Sequence, residues 1–319
     1  MTARTAHLRA AFDVGSGATK MTLARISVDG GVTAIIHSSQ VELLLRHDLQ
    51  TVHAATGEAR LSDAAIAALT ARLSEYAEIA LEAARAADLP LRMRGVATAV
   101  FRSAINGEEA LDAAASAAAI ECRIIDQIME GRLGYATAVA VAPRSMARSD
   151  VISWDSGGGS FQISDATGHV WEGSLGSSSM LQLMAERAQG RDIAAGDVTS
   201  NPATLAECEA CARFAREVIG TPPDWLGVAR RELPLVAIGG ATCAFRMAQL
   251  ACAARGAGSG ARTGDDAHVA LGSAEVWRAI ARLVGQSDDA LTGAGFPQAF
   301  MLLPKVGGCS FVVFCCYFF

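Results

Sequence analysis

A short glycine-rich turn occurs twice in this chain, and this repeat constrains the fold more than any other feature of the sequence. Residues 12–18 read FDVGSGA and residues 154–160 read WDSGGGS, so both copies contain Asp-x-Gly-x-Gly. The second copy lies 142 residues after the first. Each copy follows a short apolar segment and precedes further strand-like and helical patterns. The repeat therefore predicts two similar α/β domains that face each other across a cleft.

Hydrophobic periodicity predicts alternating strands and helices around the two turns. In the first half the predicted strands are 8–14, 19–26, 32–38, 91–98 and 122–125, and the predicted helices are 62–87, 107–119 and 128–142. In the second half the predicted strands are 151–154, 160–165, 169–173 and 235–238, and the predicted helices are 177–189, 203–219 and one from residue 242. We expect domain I to cover residues 1–135 and domain II residues 136–319.

Composition excludes several classes of protein. Hydrophobic residues make up 51% of the chain and charged residues 19%, which excludes a mostly disordered protein. A formal net charge of −6 argues against a protein that binds nucleic acid through a basic face. No apolar run approaches the ~20 residues that span a bilayer, and Asp13 interrupts any secretory signal segment. We therefore expect a cytoplasmic protein without nucleic-acid or membrane partners.

The eight cysteines are expected to be reduced thiols, because a chain of this size needs no disulfides to stabilise its core. Cys208-x-x-Cys211 lacks a second Cys or His pair at zinc-binding spacing, so we expect no zinc site there. Residues 255–266 have the composition of a flexible loop. The apolar end, residues 311–319, is expected to form a buried final element, with an exposed tail as the alternative.

Both turns follow a strand that ends in aspartate, an arrangement that suits phosphate. Glycines at 15, 17 and 157–159 let phosphate oxygens approach backbone N–H groups that a side chain would block. A carboxylate at the strand end repels phosphate unless a divalent cation lies between them, so Asp13 and Asp155 are candidate ligands of one Mg²⁺ or Mn²⁺ ion. A single Asp-x-Gly turn is more often an ordinary turn, but two matched copies favour the phosphate interpretation.

Three charged residues near predicted strand ends are further candidates. Lys20 lies four residues after Ser16 and is suited to reach a bound phosphate as a point charge. Arg102 follows the strand 91–98, where α/β sheets bind ligands and a fork of donors suits phosphate. Glu130 opens the helix 128–142 and is suited to accept a proton from water that attacks phosphorus. For each residue, spacing alone leaves an ordinary surface or helix-start role open.

These segments, taken in order, resemble the motifs of the exopolyphosphatase / guanosine pentaphosphate phosphatase (Ppx/GppA) family of the actin, Hsp70 and sugar-kinase superfamily. The matching segments are residues 13–20 (DVGSGATK), 98–106 (TAVFRSAIN), 125–132 (IDQIMEGR), 155–162 (DSGGGSFQ), 175–180 (LGSSSM) and 238–241 (IGGA). The resemblance covers nearly the whole chain. It implies two actin-like (ribonuclease H-like) domains with a cleft between them, in the short two-domain form of the family.

The resemblance also implies a role for each candidate residue. Glu130 matches the catalytic glutamate, which activates a water against the terminal phosphorus. Asp13 and Asp155 match the acidic residues near Mg²⁺. The groups that hold phosphate are Gly15, Ser16, Gly17, Lys20, Arg102, Gly157, Gly158, Gly159 and Ser160. The implied substrate is polyphosphate or a guanosine polyphosphate, and pairing of two chains as a homodimer stays open.

Three departures from the family pattern affect the function. Gly17 replaces an asparagine, Met129 replaces the first of two glutamates, and Gln162 replaces the glutamate that ends the second turn. A neutral amide at 162 cannot act as a base or offer a full charge to a metal. The first hypothesis is a Mg²⁺-dependent phosphatase acting on terminal phosphoanhydride bonds. The alternatives are a catalytically weakened phosphate- or nucleotide-binding sensor and, third, a kinase-like ATP user of the same fold.

Overall fold

The computed structural model describes residues 6–142, 146–191, 198–227, 235–240, 242–254 and 272–308. By its internal contacts the chain divides into two units, Met1–Gln127 (unit 1) and Ile128–Phe319 (unit 2). The division falls at the start of the helix Gln127–Val141, whereas the sequence places the domain boundary after residue 135. Each unit contains one sheet.

Unit 1 contains a five-stranded sheet in the order β3-β2-β1-β4-β5. β1 pairs antiparallel with β2 and parallel with β4; β2–β3 is antiparallel and β4–β5 is parallel. The strands are β1 His7–Val14, β2 Ala18–Ile26, β3 Val32–Glu42, β4 Leu91–Ala97 and β5 Glu121–Ile124. The helices are α1 Leu45–Thr56, α2 Asp63–Ala87, α3 Ala99–Ser103 and α4 Gly107–Ala117.

The sequence of β1 explains why the first turn lies at the end of a rigid strand. Leu8, Ala10, Phe12 and Val14 alternate with more exposed residues and are buried, so one face of β1 packs into the core of unit 1. That core also contains Leu69 and other apolar residues of α2. Ser62 caps the start of α2, because its hydroxyl accepts a hydrogen bond from the Ala65 amide.

Unit 2 contains a four-stranded sheet in the order β8-β7-β6-β9, with β9 parallel to β6 and the other pairs antiparallel. The strands are β6 Ile152–Ser156, β7 Phe161–Ser164, β8 Val170–Gly173 and β9 Leu235–Ile238. The helices are α5 Gln127–Val141, α6 Ser177–Gln182, α7 Leu205–Ile219, α8 Ala244–Ala253, α9 Ser273–Leu283 and α10 Asp288–Gly293. Short helical segments are Arg148–Asp150, Leu183–Ala188, Ala299–Met301 and 302–308.

The two sheets confirm the α/β fold class predicted from the repeat. In each sheet, the strand that carries the aspartate near its end has two consecutive antiparallel strands on one side and a parallel strand on the other. Most predicted elements are present with small shifts at their ends. The predicted helix 177–189 is two segments, because α6 continues as a π-helix from Leu183 to Ala188. The predicted loop 255–266 and the apolar end 311–319 lie outside the described residues.

Five of the eight cysteines lie in the described residues. Cys122, Cys208, Cys211, Cys243 and Cys252 are all free. Burial raises the pKa of the Cys208 and Cys211 thiols to about 12, which makes this helical pair unreactive at neutral pH. None of the helices in the described ranges has the length and apolar character needed to cross a bilayer.

Candidate functional site

The first turn is closed by one backbone hydrogen bond and held from outside by the residues that follow β3. The Gly15 amide donates to the Ala18 carbonyl at 3.0 Å. The Ser16 carbonyl accepts from the Arg46 amide at 2.9 Å, in the first turn of α1. The next carbonyl, that of Gly17, accepts from the Leu43 amide at 3.1 Å. The carbonyls at the tip of the turn are therefore fixed on the side of α1.

The second turn has the same closing bond and one equivalent anchor bond. The Gly157 amide donates to the Ser160 carbonyl at 2.9 Å, as Gly15 does to Ala18. The Gly158 carbonyl accepts from the Ser178 amide at 2.8 Å, in the first turn of α6. In addition, the Gly157 carbonyl accepts from the Ser177 amide at 3.0 Å. Both turns thus have the same closing bond and the same anchor to the start of a helix.

This anchoring directs backbone N–H groups away from the helices. The C=O and N–H of a trans peptide point in opposite directions, so fixing the Ser16 and Gly158 carbonyls fixes the N–H groups of Gly17 and Gly159 on the other side. Within the described part of the chain, neither N–H donates to a protein acceptor. Directed backbone N–H groups in a tight turn form an anion-binding concavity. Each turn therefore offers donors suited to phosphate oxygens.

Gly176 allows the start of α6 to approach and anchor the second turn. The sequence alone does not indicate this role. A Cβ at this position would lie 2.5 Å from the Gly157 carbonyl oxygen and 2.6 Å from the Gly158 carbonyl carbon. No side chain fits in that space. The Leu175-Gly176 pair belongs to one of the matching motifs in the sequence. The motif alone does not indicate that Gly176 packs against the turn. Gly15 is also tight, since its Cβ would lie 3.0 Å from the Ala18 oxygen.

Asp13 and Lys20 form an ion pair in unit 1. The two residues are directly opposite each other in the β1–β2 pair, and Lys20 Nζ donates to Asp13 Oδ2 at 2.9 Å. Both side chains are 42% exposed, so the pair contributes little to stability. The ammonium and the carboxylate instead set the local charge at the end of β1. The structure therefore brings together Asp13, Lys20 and the turn 15–17.

Asp155 and Gln162 occupy the corresponding positions in unit 2. They are directly opposite each other in the β6–β7 pair, with the same spacing along the chain as Asp13 and Lys20. The Gln162 side chain is 1% exposed and its Nε2 donates to the Ser160 hydroxyl at 3.3 Å. Gln162 therefore supports the end of the second turn as a neutral group. The amide occupies the position where unit 1 carries a cation.

Glu130 lies in the first turn of α5, and two glycines allow this helix to lie close to the sheet of unit 2. A Cβ at Gly131 would lie 2.7 Å from Ser164 Oγ, and one at Gly134 would lie 3.5 Å from the Cβ of Asp155. Glu130 and Gly134 are four residues apart and share one side of the helix. The side of α5 that carries Glu130 therefore contacts Asp155 one turn later.

Arg102 lies on α3, just beyond the carboxyl end of β4, as predicted. Its Nη1 donates to the Ile125 carbonyl at 2.6 Å, so the guanidinium lies at the carboxyl end of β5. This bond fixes the side chain at the sheet edge where ligands bind in α/β folds.

Metal binding by carboxylates is chemically compatible with these positions. Among the described residues, no cluster of three or more His, Cys, Asp or Glu side chains forms a metal site. Mg²⁺ usually needs only one or two protein carboxylates, with phosphate oxygens and waters as the other ligands. Asp13 and Asp155 provide oxygen donors of this kind, although Asp13 already shares its carboxylate with Lys20.

Lys305 is a charged residue near the second turn that the sequence does not single out. It lies in the helical segment 302–308, is 4% exposed, and lines a cavity together with Ser156 and Ser177 next to the second turn. Because Lys305 is far from Asp155 along the chain, the sequence does not indicate that it lies next to the second turn. The one signal in the sequence is composition: Lys20 and Lys305 are the only lysines among 27 basic residues.

Comparison with known proteins confirms the resemblance to the Ppx/GppA family. The family model of the Ppx/GppA phosphatase family matches residues 26–180. No match is found among curated proteins.

Solved structures of Ppx/GppA proteins share the fold of this chain. The Aquifex aeolicus member of the Ppx/GppA family is 19% identical, with a TM-score of 0.64 over 97% of this chain and 89% of that one. An exopolyphosphatase from Cytophaga hutchinsonii is 14% identical, with a TM-score of 0.69 over 97% of this chain and 91% of that one. The chain therefore has the actin-like two-domain α/β fold of these proteins.

Proposed function

We propose that this chain, which has the fold of the Ppx/GppA phosphatases, is a Mg²⁺- or Mn²⁺-dependent hydrolase of terminal phosphoanhydride bonds. The substrate is polyphosphate or a (p)ppGpp-type nucleotide. The observation that carries the proposal is the duplicated turn, in which the Gly17 and Gly159 N–H groups are fixed opposite the anchored carbonyls. A phosphate chain offers several anionic groups in a row, which matches two anion-binding turns in one protein.

In this proposal Glu130 acts as the general base. Its carboxylate accepts a proton from a water molecule as the water oxygen attacks the terminal phosphorus, and the bridging P–O bond breaks to release orthophosphate. The turns 15–17 and 157–160 hold phosphate oxygens through backbone N–H groups, and Lys20 and Arg102 offset their charge. A divalent cation held by Asp13 and Asp155 would neutralise charge on the phosphate oxygens.

The test compares phosphate release by the wild type with release by Glu130→Gln, using long-chain polyphosphate with and without Mg²⁺. We expect release to require Mg²⁺ and to fall by about 10²–10⁴-fold in the variant, because the amide cannot accept the proton. Binding of polyphosphate should persist. The control is Glu108→Gln, which alters an exposed glutamate in the first turn of α4. An unchanged rate in Glu130→Gln would contradict the proposed role.

The alternative is a phosphate- or nucleotide-binding sensor, and Gln162 is the observation that favours it. This neutral side chain is buried directly opposite Asp155, where a second carboxylate would contribute charge to a metal or water. The sensor predicts saturable binding of polyphosphate or nucleotide with no more phosphate release by the wild type than by Glu130→Gln. Metal-dependent release by the wild type alone supports the hydrolase.

A further inference from the structure

Helix α5 packs on the polar face of the sheet of unit 2. Successive side chains of a strand point to opposite faces of its sheet. One face of β6 and β7 contributes Ile152, Trp154, Phe161 and Ile163 to the apolar core of unit 2. The opposite face carries Ser153, Asp155, Gln162 and Ser164, which are paired directly across the two strands. The helix lies on this second face, because Gly131 approaches Ser164 and Gly134 approaches Asp155.

This contact is not explained by core formation. Among the residues that the structure describes, no member of α5 belongs to the apolar core of unit 2. The buried residues of the helix are Gly131, Gly134 and Ala138, which have little or no side chain to remove from water. Burial of apolar surface is what usually holds a helix against a sheet. The close approach of α5 therefore needs an explanation other than the hydrophobic effect.

The tighter of the two glycine contacts is the one next to Glu130. A Cβ at Gly131 would lie 2.7 Å from Ser164 Oγ and 2.7 Å from Val170 Cγ1, about 0.7 Å closer than an ordinary contact. Ser164 and Val170 are directly opposite each other in the β7–β8 pair, so they form one continuous surface. At Gly134 the nearest atom would lie 3.5 Å away, which is an ordinary contact.

The sheet side of this contact is held in place. Ser164 is 1% exposed, and its carbonyl accepts a hydrogen bond from the Ser153 hydroxyl at 3.3 Å. Val170 is β-branched, so its side chain has few alternative rotamers. A side chain at residue 131 would therefore displace α5 from the sheet. Because Glu130 directly precedes Gly131, any such movement of the helix also moves Glu130.

We propose that Gly131 is a positioning residue for Glu130. The missing side chain sets the distance between the start of α5 and the sheet face that carries Asp155. This inference rests on the proposed function, in which Glu130 is the general base. A base must lie within hydrogen-bond reach of the attacking water. A misplacement of about 1 Å is able to lower the rate of a positioned reaction by about 10²-fold.

The first experiment compares Gly131→Ala with Gly134→Ala, using phosphate release from tripolyphosphate with Mg²⁺. We expect Gly131→Ala to lower kcat by about tenfold or more. Its affinity for tripolyphosphate should stay close to that of the wild type, when both are measured by calorimetry in a Glu130→Gln background that slows turnover. Gly134→Ala adds the same methyl group one turn later, where it fits. Its kcat should fall much less, because α5 need not move.

A combination with Glu130→Gln separates positioning from a general structural role. If Gly131 acts through Glu130, adding Gly131→Ala to Glu130→Gln should not lower the residual rate any further, because the base is already absent. A purely structural defect would lower the rate by the same factor in both backgrounds.

A second combination tests the contact itself. Gly131→Ala together with Ser164→Ala and Val170→Ala should recover most of the lost kcat, because the atoms nearest the added methyl group are removed. The reference is the variant with Ser164→Ala and Val170→Ala alone. Ser164→Ala should itself be tolerated, since Ser164 Oγ has no hydrogen-bond partner within the described residues.

The outcomes separate this inference from the proposed function. Unchanged kcat in Gly131→Ala, with Mg²⁺-dependent release by the wild type, overturns the role of Gly131 and leaves the hydrolase intact. An equal further fall in the Glu130→Gln background also overturns it. If Gly131→Ala does not fold, the triple variant decides, and a triple variant that is unfolded or inactive overturns the inference. If the wild type releases no phosphate, the proposed function fails and this inference fails with it.

Discussion

Lys20 and Gln162 are equivalent residues in the two units, yet they carry different charges. Each is seven residues after its aspartate and directly opposite it in an antiparallel pair. Lys20 neutralises Asp13 through a 2.9 Å ion pair, whereas Gln162 donates to the Ser160 hydroxyl and leaves Asp155 beside an amide. The chemistry of each strand end therefore depends on one cross-strand residue.

Gln162→Glu should reveal this dependence. Two carboxylates directly opposite each other repel, so we expect the variant to be less stable by about 1–3 kcal/mol at neutral pH. Repulsion raises the pKa of one carboxyl, so the deficit should shrink as pH falls and that group is protonated. Mg²⁺ should raise the unfolding temperature more in the variant than in the wild type. Thermal unfolding across pH and Mg²⁺ concentration measures both effects.

The control for this prediction is Gln50→Glu, on the exposed side of α1. It adds the same charge without placing it opposite a carboxylate, so its stability should change by less than about 0.5 kcal/mol. An equal response to Mg²⁺ in both variants would contradict a specific effect at Asp155.

Sequence and structure agree best where the signal is local. The turns and the strands before them were predictable because glycine, aspartate and alternating apolar residues act over a few positions. The position of Lys305 beside the anchor of the second turn was not, since it depends on packing between segments about 150 residues apart. Helix α1 was also missed. Its cap residue is Leu44, which makes no side-chain cap hydrogen bond, so the sequence lacks the usual signal for a helix start.

At the scale of elements, the contact between each turn and the next helix fixes the geometry of the candidate site. In unit 2 the amides of Ser177 and Ser178 reach the turn only because Gly176 has no side chain. In unit 1 the Arg46 amide makes the equivalent bond from α1. The helix starts therefore act as supports for the turns.

Gly176→Ala tests this support. The added Cβ cannot be accommodated 2.5 Å from the Gly157 oxygen, so the turn and α6 must separate. We expect a loss of stability of about 1–3 kcal/mol and at least tenfold weaker binding of tripolyphosphate. Chemical denaturation and calorimetry measure the two quantities.

Gly293→Ala is the matched control for this substitution. Gly293 lies at the end of α10, and a Cβ there meets no atom within 4 Å. Its stability should be unchanged or slightly higher, because alanine favours helix more than glycine does. Normal phosphate binding by Gly176→Ala would show that the anchor of the turn is dispensable.

At the scale of the whole molecule, each unit has its own apolar core. In unit 1 the core joins β1 and β2 to α2 and α4, and in unit 2 it joins β6 and β7 to α7, α8 and α9. Leu73 and Ile280 are fully buried members of the first and second core. A domain with its own core is able to open as a separate cooperative unit.

Leu73→Ala and Ile280→Ala form a mirrored pair of tests. Each should destabilise its own core by about 2–5 kcal/mol. Hydrogen exchange should then accelerate mainly in residues 1–127 for Leu73→Ala and mainly in residues 128–319 for Ile280→Ala. Equal acceleration throughout the chain in both variants would show that the two units unfold as one.

The identical closing bond in the two turns has a consequence for how such a protein diverges. Main-chain groups close each turn, through the Gly15–Ala18 and Gly157–Ser160 bonds, so the same closing bond is compatible with different side chains opposite the aspartates. One copy carries lysine at that position and the other carries glutamine. Selection is thus free to adjust the charge of each half, and with it the preferred anion, while the architecture stays constant.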